Sequence, residues 1–130
     1  ISFWQRQFDR ARPPDECRVF VLDRPRDELY ARINQRVEAM FAAGLVGEVE
    51  QLLAEGCRFS RTARQALGYR EVLEHLAGER DLRETLALVQ TRTRNFAKRQ
   101  LTWFRSLSEC RTVAVSGPID PAEIAARIAP

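Results

Sequence analysis

An α/β class, mostly helical with two short strands, follows from three observations on this 130-residue sequence. Apolar residues recur at helical spacing through most of its length, glycines punctuate those stretches, and a short apolar run near each end has the look of a strand. With 45% apolar and 30% charged residues, the composition is that of a globular domain and not of a disordered chain.

The elements follow in order. Residues 1–16 mix Phe3, Trp4 and Phe8 with arginines and the Pro13-Pro14 pair, without a sustained period, and read as the end of an earlier element leading into a linker. Cys17 to Leu22 is a short apolar run expected as a strand, ended by Asp23 and Arg24; Pro25 opens a helix with Asp27 and Glu28 in its first turn. That helix runs over about 26–43, burying Leu29, Ile33, Val37, Met40 and Phe41, and stops at Gly44. A second, over about 46–55, buries Val49, Leu52 and Leu53 and stops at Gly56. Residues 57–64 form a basic loop, and a helix over about 65–77 uses Leu67, Val72, Leu73 and Leu76 before Gly78. A long helix spans about 81–107, Thr112 to Val115 alternates as a short strand, Gly117-Pro118 is a turn, and 121–128 closes as a helix with Ile124 and Ile128 on one face.

The net charge is +3, and Lys98 is the one lysine among 21 basic residues. Cys17, Cys57 and Cys110 are far apart with a single histidine, His75, so a zinc site is not expected; buried free thiols in a reducing cytoplasm are. His75 is expected at the surface without a role. No apolar run approaches membrane length, which leaves no membrane partner. The sequence starts at Ile1 and its sole methionine, Met40, lies in a helical pattern, so it is expected to be the C-terminal piece of a longer protein.

Thr91 to Arg105 is the most informative stretch, with five basic residues, no acid, and aromatics at helical spacing. On a helical wheel Leu82, Leu86, Val89, Phe96, Ala97, Trp103 and Phe104 share one arc, expected to be buried. Arg94, Lys98 and Arg105 form a stripe on the other side, with Thr91, Asn95 and Thr102 beside it and Arg92 and Arg99 at the boundary. Charge of one sign cannot be neutralised by i,i+4 pairing within the stripe, so a polyanion backbone is the expected partner, against the alternative of a solvated face. Trp103 and Phe104 are expected in the core, not as platforms for bases.

Two further segments carry candidate chemistry. Arg32 and Arg36 stand i,i+4, a spacing that lets two guanidiniums converge on one anion; pairing with Asp27, Glu28 or Glu38 is the alternative. Gln65-Ala66-Leu67-Gly68-Tyr69-Arg70 joins a small residue, an aromatic ring and polar side chains able to hold an unpaired nucleotide, or else it is a helix start with Tyr69 packed inward.

Arg26 to Val37 followed by Gly44-Leu45, then Gln65 to Glu71, then Thr91 to Arg105 with its Ala-Lys-Arg-Gln-x-Thr-Trp-Phe-Arg core, together resemble the tRNA dimethylallyltransferases, also called tRNA isopentenyltransferases. The resemblance covers nearly the whole sequence and corresponds to the C-terminal part of such enzymes. It implies a P-loop-type α/β fold whose phosphate loop and general base lie outside this sequence, with residues 1–16 ending the inserted tRNA-binding region and 17–130 completing the catalytic core. The implied reaction moves a dimethylallyl group from dimethylallyl diphosphate to N6 of an adenosine adjacent to the tRNA anticodon, in a cytoplasmic, monomeric full-length enzyme; the segment alone would be inactive. The implied site residues are Arg36 as the catalytic arginine, Arg32 with Arg36 on the diphosphate, and Gln65, Gly68, Tyr69, Arg70, Arg94, Lys98, Arg99, Gln100, Thr102 and Arg105 on the tRNA anticodon stem-loop. Mg would be held through the diphosphate and the missing N-terminal region. A tryptophan often seen near the last strand of the family is absent from Glu109 to Val113. The alternative is a non-catalytic helical RNA-binding module derived from such an enzyme.

Overall fold

A computed structural model describes residues 18–128. The expectations for residues 1–16 and for Cys17 lie outside the described residues. The order is β1 (Val19–Asp23), α1 (Arg26–Ala42), α2 (Leu45–Ala54), α3 (Arg61–Arg64), α4 (Tyr69–Leu76), α5 (Leu82–Arg105), β2 (Cys110–Ala114) and α6 (Pro121–Ile128). This is the mostly helical architecture with two short strands that the sequence predicts. The chain divides into two compact units, one made of residues 18–29 and 98–128, the other of Tyr30–Ala97.

In the first unit β1 and β2 pair in parallel, with Val19 opposite Cys110 and Asp23 opposite Ala114. Parallel strands need a long crossover, and here the connection is the whole stretch from α1 to α5. The ladder is carried one step further by the Val115 N–H donating to the Asp23 carbonyl at 2.9 Å. Beyond the strands, Arg24 donates to Glu28 at 2.6 Å and to the Gly117 carbonyl at 2.8 Å, while Glu28 accepts from the Gly117 N–H at 2.9 Å. That closed ring of bonds ties the start of α1 to the turn after β2. Among the described residues Val115 and Ile124 are the buried apolar ones here. Strand β2 begins two residues earlier than its alternation predicts, because pairing with β1 recruits Cys110 and Arg111.

In the second unit Leu45, Val49 and Val72 form the core, with Met40, Phe41, Phe59, Tyr69, Leu73 and Leu76 packed around it. Helix α5 opens with a reciprocal capping box: the Glu84 N–H donates to Asp81 Oδ1 at 2.7 Å and the Asp81 N–H to Glu84 Oε2 at 3.2 Å.

Several local expectations are corrected. The basic loop at 57–64 contains a helical turn, α3, because Ser60 Oγ accepts the Ala63 N–H at 3.1 Å and so caps it. The following helix starts at Tyr69, not 65, since Gly68 has φ +97 and ψ −54, outside helical space. Leu67 and Leu53, expected inside, are exposed. The apolar arc of α5 is buried only around Thr85 and Val89; Phe96 is 47% and Trp103 54% exposed, so Trp103 is not a core residue among those described. Cys57 is exposed and Cys110 half-buried, in place of the buried thiols expected. His75 is half-buried and has a structural part: its Nδ1–H donates to the Arg80 carbonyl at 2.8 Å, which closes the turn before α5.

Candidate functional site

Helix α1 presents Arg32 and Arg36 on one exposed face. Two of the three acids that were candidates to neutralise them are engaged elsewhere: Glu28 holds Arg24 and Gly117, and Glu38 accepts from Gln90 at 3.0 Å. Neither guanidinium has a hydrogen bond or ion pair among the described residues. The pair is therefore open to an anion from outside the described residues. Developing negative charge on a leaving oxygen is stabilised by a cation already in place and not already neutralised.

Helix α5 is differently disposed. Arg94 donates to Asn34 Oδ1 at 2.6 Å and to Thr91 Oγ1 at 2.9 Å, so its fork is spent on the packing of α5 against α1. Asn34 lies about 160–200° round the helix from Arg32 and Arg36, so the second unit does not bring Arg94 together with that pair. Arg92 reaches the buried carboxylate of Glu71, which also accepts the Gly68 N–H at 2.8 Å. In the first unit Lys98, Gln100 and Thr102 are exposed, with the Thr102 hydroxyl donating back to the Lys98 carbonyl at 3.0 Å. Arg99 is exposed and engaged; Arg105 is exposed and donates to Asp23 Oδ2 at 3.3 Å.

The turn from Gln65 to Arg70 is built on Gly68. Its φ of +97 suits glycine alone, although a Cβ there would meet Leu45 Cδ2 only at an ordinary 3.7 Å. Gln65 is exposed at the end of α3. Tyr69 is half-buried: its ring meets Phe59 edge-on at 6.0 Å, and its hydroxyl donates to Glu48 Oε1. That hydrogen bond, then burial, raises the phenol above its ordinary pKa. The inward-packed alternative thus describes Tyr69 in this structure. Arg70 is exposed and donates through Nε to Glu74 at 2.9 Å. Its hydrogen bond, joined by one from Arg80, holds the Glu74 carboxyl below the usual carboxylate range.

Sequence reasoning missed Glu71, Asn34 and Glu48. A signal existed for Glu71, since Gly68-x-x-Glu71 has the spacing of a capping glutamate reaching back to the N-cap amide. Among the described residues no three His, Cys, Asp or Glu side chains come together, so none is assigned to a metal ion. No described helix is long and apolar enough to cross a membrane.

A profile of the family described as IPP transferase matches residues 1–107. The chain belongs to the IPP transferase family. It is 50% identical over 114 residues to the tRNA dimethylallyltransferase 1 of Trichlorobacter lovleyi, covering 88% of this chain and 37% of the relative. To the tRNA dimethylallyltransferase of Syntrophobacter fumaroxidans it is 48% identical, covering 85% and 32%. It resembles the crystal structure of the full-length tRNA isopentenylpyrophosphate transferase of Bacillus halodurans with a TM-score of 0.76 and 34% identity, over 85% of this chain and 36% of that one. The chain thus spans about a third of the length of the curated relatives it matches.

Proposed function

We propose that this chain is the C-terminal part of a tRNA dimethylallyltransferase, which moves a dimethylallyl group from dimethylallyl diphosphate to N6 of an adenosine adjacent to the tRNA anticodon. The observation that carries the reading is the exposed Arg32/Arg36 pair, without an ion pair among the described residues, in a chain of this family. In this reading residues 17–130 complete the catalytic core and residues 1–16 end the inserted tRNA-binding region. Arg36 meets the departing diphosphate and Arg32 assists it. The exposed residues Gln65, Arg70, Lys98, Arg99, Gln100, Thr102 and Arg105, with Gly68 shaping the turn, face the anticodon stem-loop; Arg70 and Arg105 give up Glu74 and Asp23 to do so, and Tyr69 and Arg94 must likewise exchange Glu48 and Asn34 for RNA if they are to join them. Magnesium comes with the diphosphate and the rest of the enzyme, and the chain alone does not turn over. The full-length enzyme acts as a monomer in the cytoplasm.

The test is a steady-state comparison of acceptors with the full-length enzyme and dimethylallyl diphosphate. Transfer to an anticodon stem-loop carrying the target adenosine, with little transfer to free adenine nucleotides, supports the reading. Preference for the free nucleotide, or no transfer at all, overturns it.

A further inference from the structure

Glu71 is 1% exposed, a carboxylate at the base of α4. Burying such a group is unfavourable unless charged and hydrogen-bonding partners replace water, and a buried ion pair replaced as a whole by apolar residues of similar size often leaves a fold as stable or more so. What the carboxylate adds is geometry. One oxygen accepts the Gly68 N–H at 2.8 Å, at a residue whose backbone only glycine adopts readily. The other accepts from Arg92, 21 residues further on in α5. A single side chain thus fixes the conformation of the Gln65–Arg70 turn and anchors that turn to α5.

We infer that the Glu71–Arg92 pair is a positioning device for RNA recognition: it holds the Gly68-Tyr69-Arg70 turn in the shape that receives an unpaired nucleotide. The inference rests on the tRNA reading given above. Neither Glu71 nor Arg92 touches the reacting atoms. Arg92, which the sequence places at the edge of the basic stripe, has its guanidinium committed to this inward task.

Charge gives the test its direction. Glu71→Gln removes a negative charge, so long-range electrostatics alone would tighten binding of a polyanion; loss of positioning weakens it. In the full-length enzyme the KM for tRNA is expected to rise about tenfold, with saturated turnover and the KM for dimethylallyl diphosphate within about twofold of wild type. Amide exchange over residues 65–72 should accelerate while that of β1 and β2 is unchanged. Arg92→Lys, which keeps a cation beside Glu71, should recover most of the protection and affinity, and Arg92→Met should not. A tRNA KM that is unchanged or falls in Glu71→Gln overturns the inference. So does exchange equal to wild type, or a joint loss of turnover, diphosphate KM and thermal midpoint, which would mark the pair as only structural. If the wild-type enzyme modifies no tRNA, the functional reading fails separately. The exchange comparison still decides the clamp, faster exchange in Glu71→Gln supporting it and unchanged exchange overturning it.

Discussion

Arg32 and Arg36 of α1 and Arg70, Arg92, Arg94 and Arg105 of α4 and α5 are the same side chain on the same kind of amphipathic helix, yet the fold treats them in opposite ways. Arg32 and Arg36 have no partner among the described residues, whereas Arg70, Arg92, Arg94 and Arg105 are held by Glu74, Glu71, Asn34 and Asp23. In the segment with no acid of its own, Arg92, Arg94 and Arg105 are held by groups from other elements, while Arg32 and Arg36, with acids beside them in sequence, are not held by those acids. A count of charges along one helix therefore misjudges which cations are available to a ligand. An unengaged guanidinium is ready for a substrate anion, and an engaged one must first give up a partner.

The contrast is broken most severely at Arg36. In the full-length enzyme Arg36→Ala is expected to lower turnover by about 10²–10³-fold, the usual loss when a fixed donor to developing charge is removed, with the KM for tRNA within about twofold. Arg32→Ala should do the same more weakly. Turnover equal to wild type in Arg36→Ala would remove the catalytic assignment and leave the pair as solvated charge.

Next in size is the cost of the Lys98 and Arg105 contacts. Lys98→Ala should weaken tRNA binding and reduce the slope of log affinity against log salt by about one, the loss of one phosphate contact. Arg105→Ala should do less, because Asp23 already competes for that guanidinium. Equal effects would show that the Asp23 pair is too weak to matter, as many exposed pairs are, and a salt slope unaltered by both substitutions would end the phosphate-row assignment.

How legible this was in the sequence differs by element. The helices and their glycine stops were readable because 3.6-residue periodicity and a C-terminal glycine are local properties of the chain. Strand β2 was short by two residues because its beginning is defined by pairing with β1, 91 residues away in register terms from Val19 to Cys110. The Arg32/Arg36 pair was readable as a spacing, but its freedom from Glu28 depended on Gly117 and Arg24, which only the fold brings to that carboxylate. The wheel points Arg94 outward, and helix packing turns it toward Asn34. Trp103 shows the converse error: an aromatic on the apolar arc is buried only where another element covers that arc, and periodicity does not supply the cover.

A smaller effect is expected at Tyr69. Tyr69→Phe keeps the edge-on contact with Phe59 and removes the hydroxyl that donates to Glu48, at a cost of about 1 kcal/mol or less because Glu48 is exposed and water can replace the bond. Denaturant unfolding measures it. The raised phenol pKa means that the bond's stabilisation is complete below the ordinary tyrosine range and is lost as pH rises through the raised folded value. If the ring stacks on a base, Tyr69→Phe leaves tRNA affinity intact and Tyr69→Leu does not.

The smallest effect, and the sharpest test of the contrast between free and engaged arginines, is at Glu74. Its carboxyl is held below the usual range chiefly by the hydrogen bond from Arg70. Its stabilisation is therefore full above the ordinary glutamate range and is lost as pH falls through that range to the lower folded value. Glu74→Gln should flatten that acid limb, shifting the thermal midpoint by no more than about 2 °C, because the amide oxygen can still accept from one of the two arginines. The same substitution releases Arg70. If engagement by a neighbouring acid is what withholds an arginine from RNA, tRNA should bind about twofold more tightly and with a steeper salt dependence in Glu74→Gln. Affinity and salt slope equal to wild type would show that Arg70 leaves Glu74 at no appreciable cost, and that the difference between the two sets of arginines lies in where they point and not in what they hold.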